Sequence, residues 1–208
     1  MKVVAVNGSH RKGKNTSLML QTVLDELAKD NVEVELIELA DYEIKFCTSC
    51  NKCMRGPKCS ITGDDMERLA AKLMMADGIV LGSPVYWANV STLMKNFMDR
   101  TRFLHLNKNL LAGKVGAAVT IAALRNGGQE KCLNIMEDFL KGQGLIIADS
   151  RNPEEGITSN GAIGTRQHDY DGEKIIWNKG VEEDMIAMNA CRQLAKNTAN
   201  LIRITGKI

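Results

Sequence analysis

The chain has 208 residues, 44% of them hydrophobic and 25% charged, with a formal net charge of +2. That length suits one large domain, 1–208, with a real core, and the charge is too small to point to nucleic acid or a membrane as partner. No apolar run approaches a membrane span, and Met1-Lys2 leads straight into Val3-Val4-Ala5-Val6 without a signal peptide's long apolar core, so a cytoplasmic location is expected.

Val3 to Val6 reads as a short strand, and Leu20, Val23, Leu24 and Leu27 recur at helical spacing. The connection between them, Gly8 to Ser17, sets backbone N–H groups, hydroxyls and cations at a helix N-terminus, which suits a phosphate. Gly8, Gly13 and Lys14 approach the spacing of a nucleotide P-loop, but Asn15 stands where a magnesium-binding hydroxyl belongs. The third strand also ends in Gly82-Ser83-Pro84, without the acidic residue that would hold a nucleotide's metal. The alternative is a capped helix start in which Asn15 or Thr16 only satisfies the backbone.

Val32, Val34 and Leu36 alternate with glutamates, as on a strand with one wet face at a sheet edge. Residues 40–63 then form a cysteine-rich insertion. Asp64 followed by Glu67 reads as a capping pattern for the helix carrying Leu69, Leu73 and Met74. Gly78 to Gly82 is continuously apolar, like a strand covered on both faces, and Leu93, Met94, Phe97 and Met98 follow on one helical face. Between them Pro84-Val85-Tyr86-Trp87 places adjacent aromatics on a rigid turn, a platform for a flat heteroaromatic ring or, alternatively, an interface anchor.

Val115 to Ile121 and Leu145 to Ala148 read as two further strands, each followed by a helix. Cys132 and Cys191 occupy core positions of those helices as small hydrophobes. Residues 150–180, polar and glycine-containing, are expected to form an extended loop acting as a lid or subunit contact. Together these elements predict an α/β, doubly wound, five-stranded parallel sheet in the order 2-1-3-4-5, with ligands bound beyond the carboxyl ends of strands one and three. A phosphate site on one loop and a stacking turn on the next imply a mononucleotide.

Gly8-Ser9-x-Arg11, Asn15-Thr16-Ser17 and Gly82-Ser83-Pro84-Val85-Tyr86 resemble the NADPH-dependent FMN reductase branch of the flavodoxin-like proteins over residues 1–150. The resemblance implies that Ser9, Arg11, Asn15, Thr16 and Ser17 hold the FMN phosphate. It also implies that Pro84, Val85, Tyr86 and Trp87, with Ala123, Asn126, Gly127 and Gly128 of the loop 123–129, line the isoalloxazine ring. His10 is a further candidate for the phosphate.

Four of the six cysteines fall in Cys47-x2-Cys50-x2-Cys53-x5-Cys59, which resembles the compact motif of iron-sulfur flavoproteins, a subgroup of that family. Close spacing lets one tight loop aim several thiolates at one centre, as a [4Fe-4S] cluster requires. Lys45, Lys52, Arg55 and Lys58 crowd the segment, and no acid occurs between Glu43 and Asp64, so cations offset the thiolate charge. Zinc accepts the same four thiolates, and a disulfide or metal-free loop is the remaining alternative.

The expected function is electron transfer between a [4Fe-4S] cluster and FMN, with no catalytic acid-base pair. Two alternatives stay open: an NAD(P)H-dependent FMN or quinone reductase with an empty cysteine loop, and a zinc-binding module. The redox partner is expected to be a ferredoxin-like protein, NAD(P)H or a quinone, and the resemblance implies a homodimer or homotetramer.

Overall fold

Strand one and strand three owe their inner position to composition. Val3 to Val6 and Ile79 to Leu81 leave at most 2% of any side chain in contact with solvent, which requires cover on both faces of the sheet. A computed structural model describes residues 1–56, 58–152, 154 and 161–206. In it β1 (Lys2–Asn7), β2 (Glu33–Glu38), β3 (Gly78–Pro84), β4 (Val115–Ala122) and β5 (Ile146–Ile147) form a parallel sheet in the order β2-β1-β3-β4-β5. The predicted order and the edge position of β2 are both observed. On that edge Glu33 bonds Lys2 at 2.8 Å and Glu35 pairs with Lys72, so the outward charges are matched.

Alternation along the strands feeds two cores. Val3 and Ala5 pack against α1 (Asn15–Lys29) and α6 (Met185–Thr205), whereas Val4 and Val6 share the other core with α2 (Met66–Met75), α3 (Thr92–Arg100), α4 (Arg102–Leu106) and α5 (Gln129–Gly142). Cys132 lies in the second core and Cys191 in the first, both 0% exposed, as their helical spacing predicted. Burial pushes the Cys191 thiol up to about 12, so it stays protonated and inert.

The fifth sheet position differs from expectation. β5 covers only Val115 and Gly116, and a separate strand, β6 (Ala162–Thr165), takes over the same edge opposite Val119 to Ala122. The polar run after Ala148 carries the chain out of the sheet, where Asn197 of α6 donates to the carbonyls of Asp149 and Arg151. Ala162 and Gly164 then turn inward and re-enter the apolar edge. Much of the region expected as an extended loop is therefore sheet: beyond β6, β7 (Gln167–Tyr170) and β8 (Ile175–Trp177) form an antiparallel hairpin. Residues 153 and 155–160 of that region lie outside the described residues.

Gly8, where β1 ends, lies against α3. A side chain there would meet Met94 Cβ at 2.7 Å. The approach is fixed by Ser91, the N-cap of α3, whose hydroxyl donates to the Gly8 carbonyl at 2.5 Å and accepts from Met94 N–H at 3.1 Å. Replacing Ser91 with alanine removes both bonds and should lower unfolding stability by about 1–2 kcal/mol. Urea unfolding should show an earlier midpoint at unchanged slope, and an unmoved midpoint would contradict the role given to this cap.

Candidate functional site

The carboxyl ends of β1, β3 and β4 open on a cavity of about 270 Å³. From the first loop it is lined by Ser9, Arg11, Lys14, Asn15 and Thr16. The loop is shaped by its own hydroxyl and amide groups. Asn7 Oδ1 accepts from Ser9 N–H at 2.9 Å, and Ser9 Oγ accepts from Arg11 N–H at 3.1 Å. Lys12 pairs with Asp41, whereas Arg11 and Lys14 form no ion pair among the described residues. Two exposed cations at a helix N-terminus, free of carboxylates, are what a phosphate requires.

Of the five residues assigned to a phosphate, four line the cavity and Ser17 does not. Ser17 is buried beneath the loop, where its hydroxyl accepts from Asn7 Nδ2 at 2.8 Å. Asn15 also reaches away, its Oδ1 accepting from Val181 N–H at 3.3 Å and anchoring the loop to the turn before α6. His10 does not line this cavity and lies beside Thr92 in a neighbouring cleft.

From the third strand, Pro84, Val85 and Tyr86 line the same cavity as the phosphate loop. Tyr86 and Asn89 exchange backbone bonds of 2.9 and 3.0 Å across a tight turn, which forces Trp87 and Ala88 to φ of 52° and 55°. Left-handed backbone at two successive non-glycine residues is strained and needs support. Gly128, itself at φ 96°, supplies it: a side chain there would strike Ala88 Cβ at 2.6 Å. Trp87 points out of this turn, fully exposed, into the cleft that holds His10. Ala123 lines the main cavity, whereas Asn126, Gly127 and Gly128 form the turn that buttresses Ala88 and do not reach the cavity wall.

Arg166 also lines the cavity, a placement no local pattern predicts. It sits between β6 and β7, far along the chain from Arg11. Its Nε and Nη2 donate to the Asn178 carbonyl at 3.1 and 2.8 Å, and its own N–H donates to the Ala122 carbonyl at 3.2 Å. The site thus holds three cations from two distant segments.

Cys47, Cys50, Cys53 and Cys59 all line one small cavity of about 20 Å³ between the insertion and α3. Positive φ at Ser49 and Asn51, on either side of Cys50, curls the loop, and Arg102 donates to Asn51 Oδ1 at 2.8 Å. The Cys50 thiol is held below its ordinary range first by Ser60, 3.2 Å away, then by the Lys52 backbone and charge. A donor set of four thiols facing one space fits an iron-sulfur cluster. Among the described residues no three Cys, His, Asp or Glu side chains converge as ligands of a single ion. In a multi-iron cluster each thiolate holds a different iron, so the sulfurs ring the centre at a distance. The cavity has room for about one water, so the loop must open to admit such a group.

The neck of this loop corrects the expectation for Asp64. Asp64 does accept from Met66 N–H at 3.2 Å, but no capping box forms, and Glu67 pairs with Lys58 instead. The carboxylate is buried against Arg100, Nη1 to Oδ2 2.5 Å, and also accepts from Lys45 N–H at 3.0 Å. Burial by itself would raise its pKa, but the bonds from Arg100 and the two backbone N–H groups hold it below the usual range. Asp65 completes the closure by accepting from Glu43 N–H at 2.8 Å.

Fold and geometry together define a flavodoxin-like protein with a cation-lined cavity at the strand reversal and, separately, a thiol-lined loop. Solved structures agree on the fold. The RosB structure with bound 8-demethyl-8-formylriboflavin-5'-phosphate superimposes with a TM-score of 0.71 at 16% identity, covering 100% of this chain and 81% of that one. An archaeal flavodoxin gives 0.57 at 17% identity, covering 98% and 99%. The family model for NADPH-dependent FMN reductase matches residues 1–150. An iron-sulfur flavoprotein of Methanocaldococcus jannaschii is 35% identical over 100% of both chains, and one of Archaeoglobus fulgidus is 35% identical over 99% of this chain and 97% of its own. The chain belongs to the NADPH-dependent FMN reductase family, among its iron-sulfur flavoproteins.

Removing one partner of a buried ion pair strands the other. Asp64→Ala should therefore destabilise the protein by about 3–5 kcal/mol, more than an exposed pair such as Lys95–Asp99 could cost. Chemical denaturation of the two deletions side by side checks this, and equal small losses would contradict the assignment of Asp64 as the loop's anchor.

Proposed function

We propose that this chain is a redox protein that passes electrons between FMN, held over the carboxyl ends of β1 and β3, and a [4Fe-4S] cluster held by Cys47, Cys50, Cys53 and Cys59. Bound FMN supplies chemistry that accepts electrons singly or in pairs, and the cluster supplies single-electron chemistry. The observation that carries this reading is the pairing of a cation-rich phosphate cavity with a loop whose four cysteines line one space. Membership of the iron-sulfur flavoproteins supports both cofactors.

Each residue has a distinct task. Arg11, Lys14 and Arg166 balance the phosphate charge, and Ser9 and Thr16 offer hydroxyls to its oxygens. Pro84, Val85 and Tyr86 form the wall against which the ring lies, with Ala123 opposite. The Gly128 turn holds that wall in its strained shape. Trp87 points into the neighbouring cleft, away from the main cavity, so its part in ring binding rests on contact from outside. The four thiols supply the cluster's ligands, and Lys52 and Arg100 offset their charge.

The redox partner in this reading is a ferredoxin-like protein, NAD(P)H or a quinone, the whole chain works as one unit, and copies associate as a homodimer or homotetramer in the cytoplasm. Among the described residues no helix is long and apolar enough to cross a membrane.

Anaerobic purification followed by flavin, iron and sulfide analysis tests the assignment. Flavin with stoichiometric iron and sulfide is expected, and flavin alone would leave a plain reductase. Cys53→Ser should lose the cluster's absorbance while keeping flavin. Arg11→Ala and Arg166→Ala should each weaken FMN retention about tenfold or more, as loss of a charge-assisted bond implies. Flavin titration of the apoprotein measures this, and unchanged affinity in both would remove the phosphate from this cavity.

A further inference from the structure

Arg100 ends α3 and is 2% exposed although its charge is permanent. A buried cation persists only where paired and hydrogen-bonded. Its terminal nitrogens are fully engaged. Nη1 donates to Asp64 Oδ2 and to the Lys45 carbonyl, each at 2.5 Å. Nη2 donates to Asp64 Oδ1 at 3.3 Å and to the Ile61 carbonyl at 3.4 Å. These bonds suffice to tie the neck of the cysteine loop to the helix.

One donor is left over. Nε–H is buried with no hydrogen-bond partner among the described residues. Because Asp64 grips the forked end of the guanidinium, the Nε edge faces elsewhere, and both Arg100 and Cys59 line the cysteine cavity. A structural tie has no use for this fifth donor, and an unpaired buried donor is costly unless a group arrives to accept from it. The sulfur of Cys59, when it ligates iron, is such an acceptor.

We propose that Arg100 sets the reduction potential of the cluster, through a fixed positive charge and an Nε–H donor offered to the sulfur of Cys59. The proposal rests on the cluster assigned above to the four cysteines. One electron entering the cluster adds one negative charge at the thiolate-ligated centre. A cation and an N–H donor beside a ligand sulfur stabilise that added charge, and both act strongly where water is excluded. Asp64, bound on the far side of the guanidinium, makes the pair a dipole with its positive edge toward the sulfur. Arg100 is thus a positioning and tuning residue that does not itself react.

The test is a redox titration of anaerobically purified holoprotein, following the cluster by electron paramagnetic resonance and FMN by absorbance. Arg100→Gln should move the cluster midpoint negative by about 59 mV or more, a tenfold change in its one-electron equilibrium, while the FMN midpoint stays in place. Arg100→Lys, which keeps the charge without Nε–H, should recover part of the shift. Asp64→Asn, which leaves the guanidinium and removes its counter-charge, should move the midpoint the opposite way. Variants that hold iron and sulfide at the wild-type midpoint would overturn the proposal, as would loss of the cluster from both Arg100 variants, because each makes Arg100 a prop for the loop. Wild-type protein without iron and sulfide would instead overturn the cluster assignment beneath it.

Discussion

The order of the sheet reverses between β1 and β3, and the chain leaves those adjacent strands toward opposite sides. The divergence opens a crevice at their carboxyl ends, and everything that binds there depends on it. The loop from Gly8 to Ser17 leaves one lip and the Pro84 turn the other. Ser91 holds the two lips together, since its N–H bonds Ser83 Oγ at 2.9 Å while its hydroxyl bonds the Gly8 carbonyl. A helix N-terminus that caps itself and clamps two ligand loops gives the crevice its width.

The same helix carries that geometry to the second site. α3 starts just past the Pro84 turn and ends at Arg100, so its nine residues span about 13 Å. At its far end Arg100 fastens Lys45, Ile61 and Asp64, the two sides of the cysteine loop, while Asn96 one turn earlier donates to the Ile44 carbonyl at 2.7 Å. A loop of otherwise exposed, polar residues is thereby attached to the core by buried polar contacts. The neck below Cys47 and Cys59 is thereby fixed by Arg100, Asp64 and Asn96.

Much of this was legible in the residues. The alternation in Val32 to Leu36, the unbroken run at Gly78 to Gly82 and the helical spacings gave the strand order and both cores, because burial pattern and position in such a sheet are tightly linked. That Ser9, Arg11, Asn15 and Thr16 share one cavity was legible because they lie on one short loop. Contacts that join distant segments were not. Arg166 lies more than 150 residues from Arg11 and looks like any loop cation until β6 returns to the sheet beside β4. Arg100 reads as an ordinary basic helix end, and Asp64 as a helix cap, because a buried pair leaves no periodicity. Nor does composition show that the fifth strand is interrupted, or that the turn strain at Trp87 sends the indole out of the main cavity.

The proposed electron exchange joins the cysteine loop to the cavity over β1 and β3. Anaerobic stopped-flow with a one-electron reductant tests it directly, comparing wild-type protein with Cys53→Ser and following cluster and flavin absorbance together. In the wild type, cluster bleaching should precede flavin bleaching, and in the variant flavin reduction should slow although FMN remains bound. Flavin reduced at the same rate in both proteins, with no cluster change ahead of it, would contradict the account.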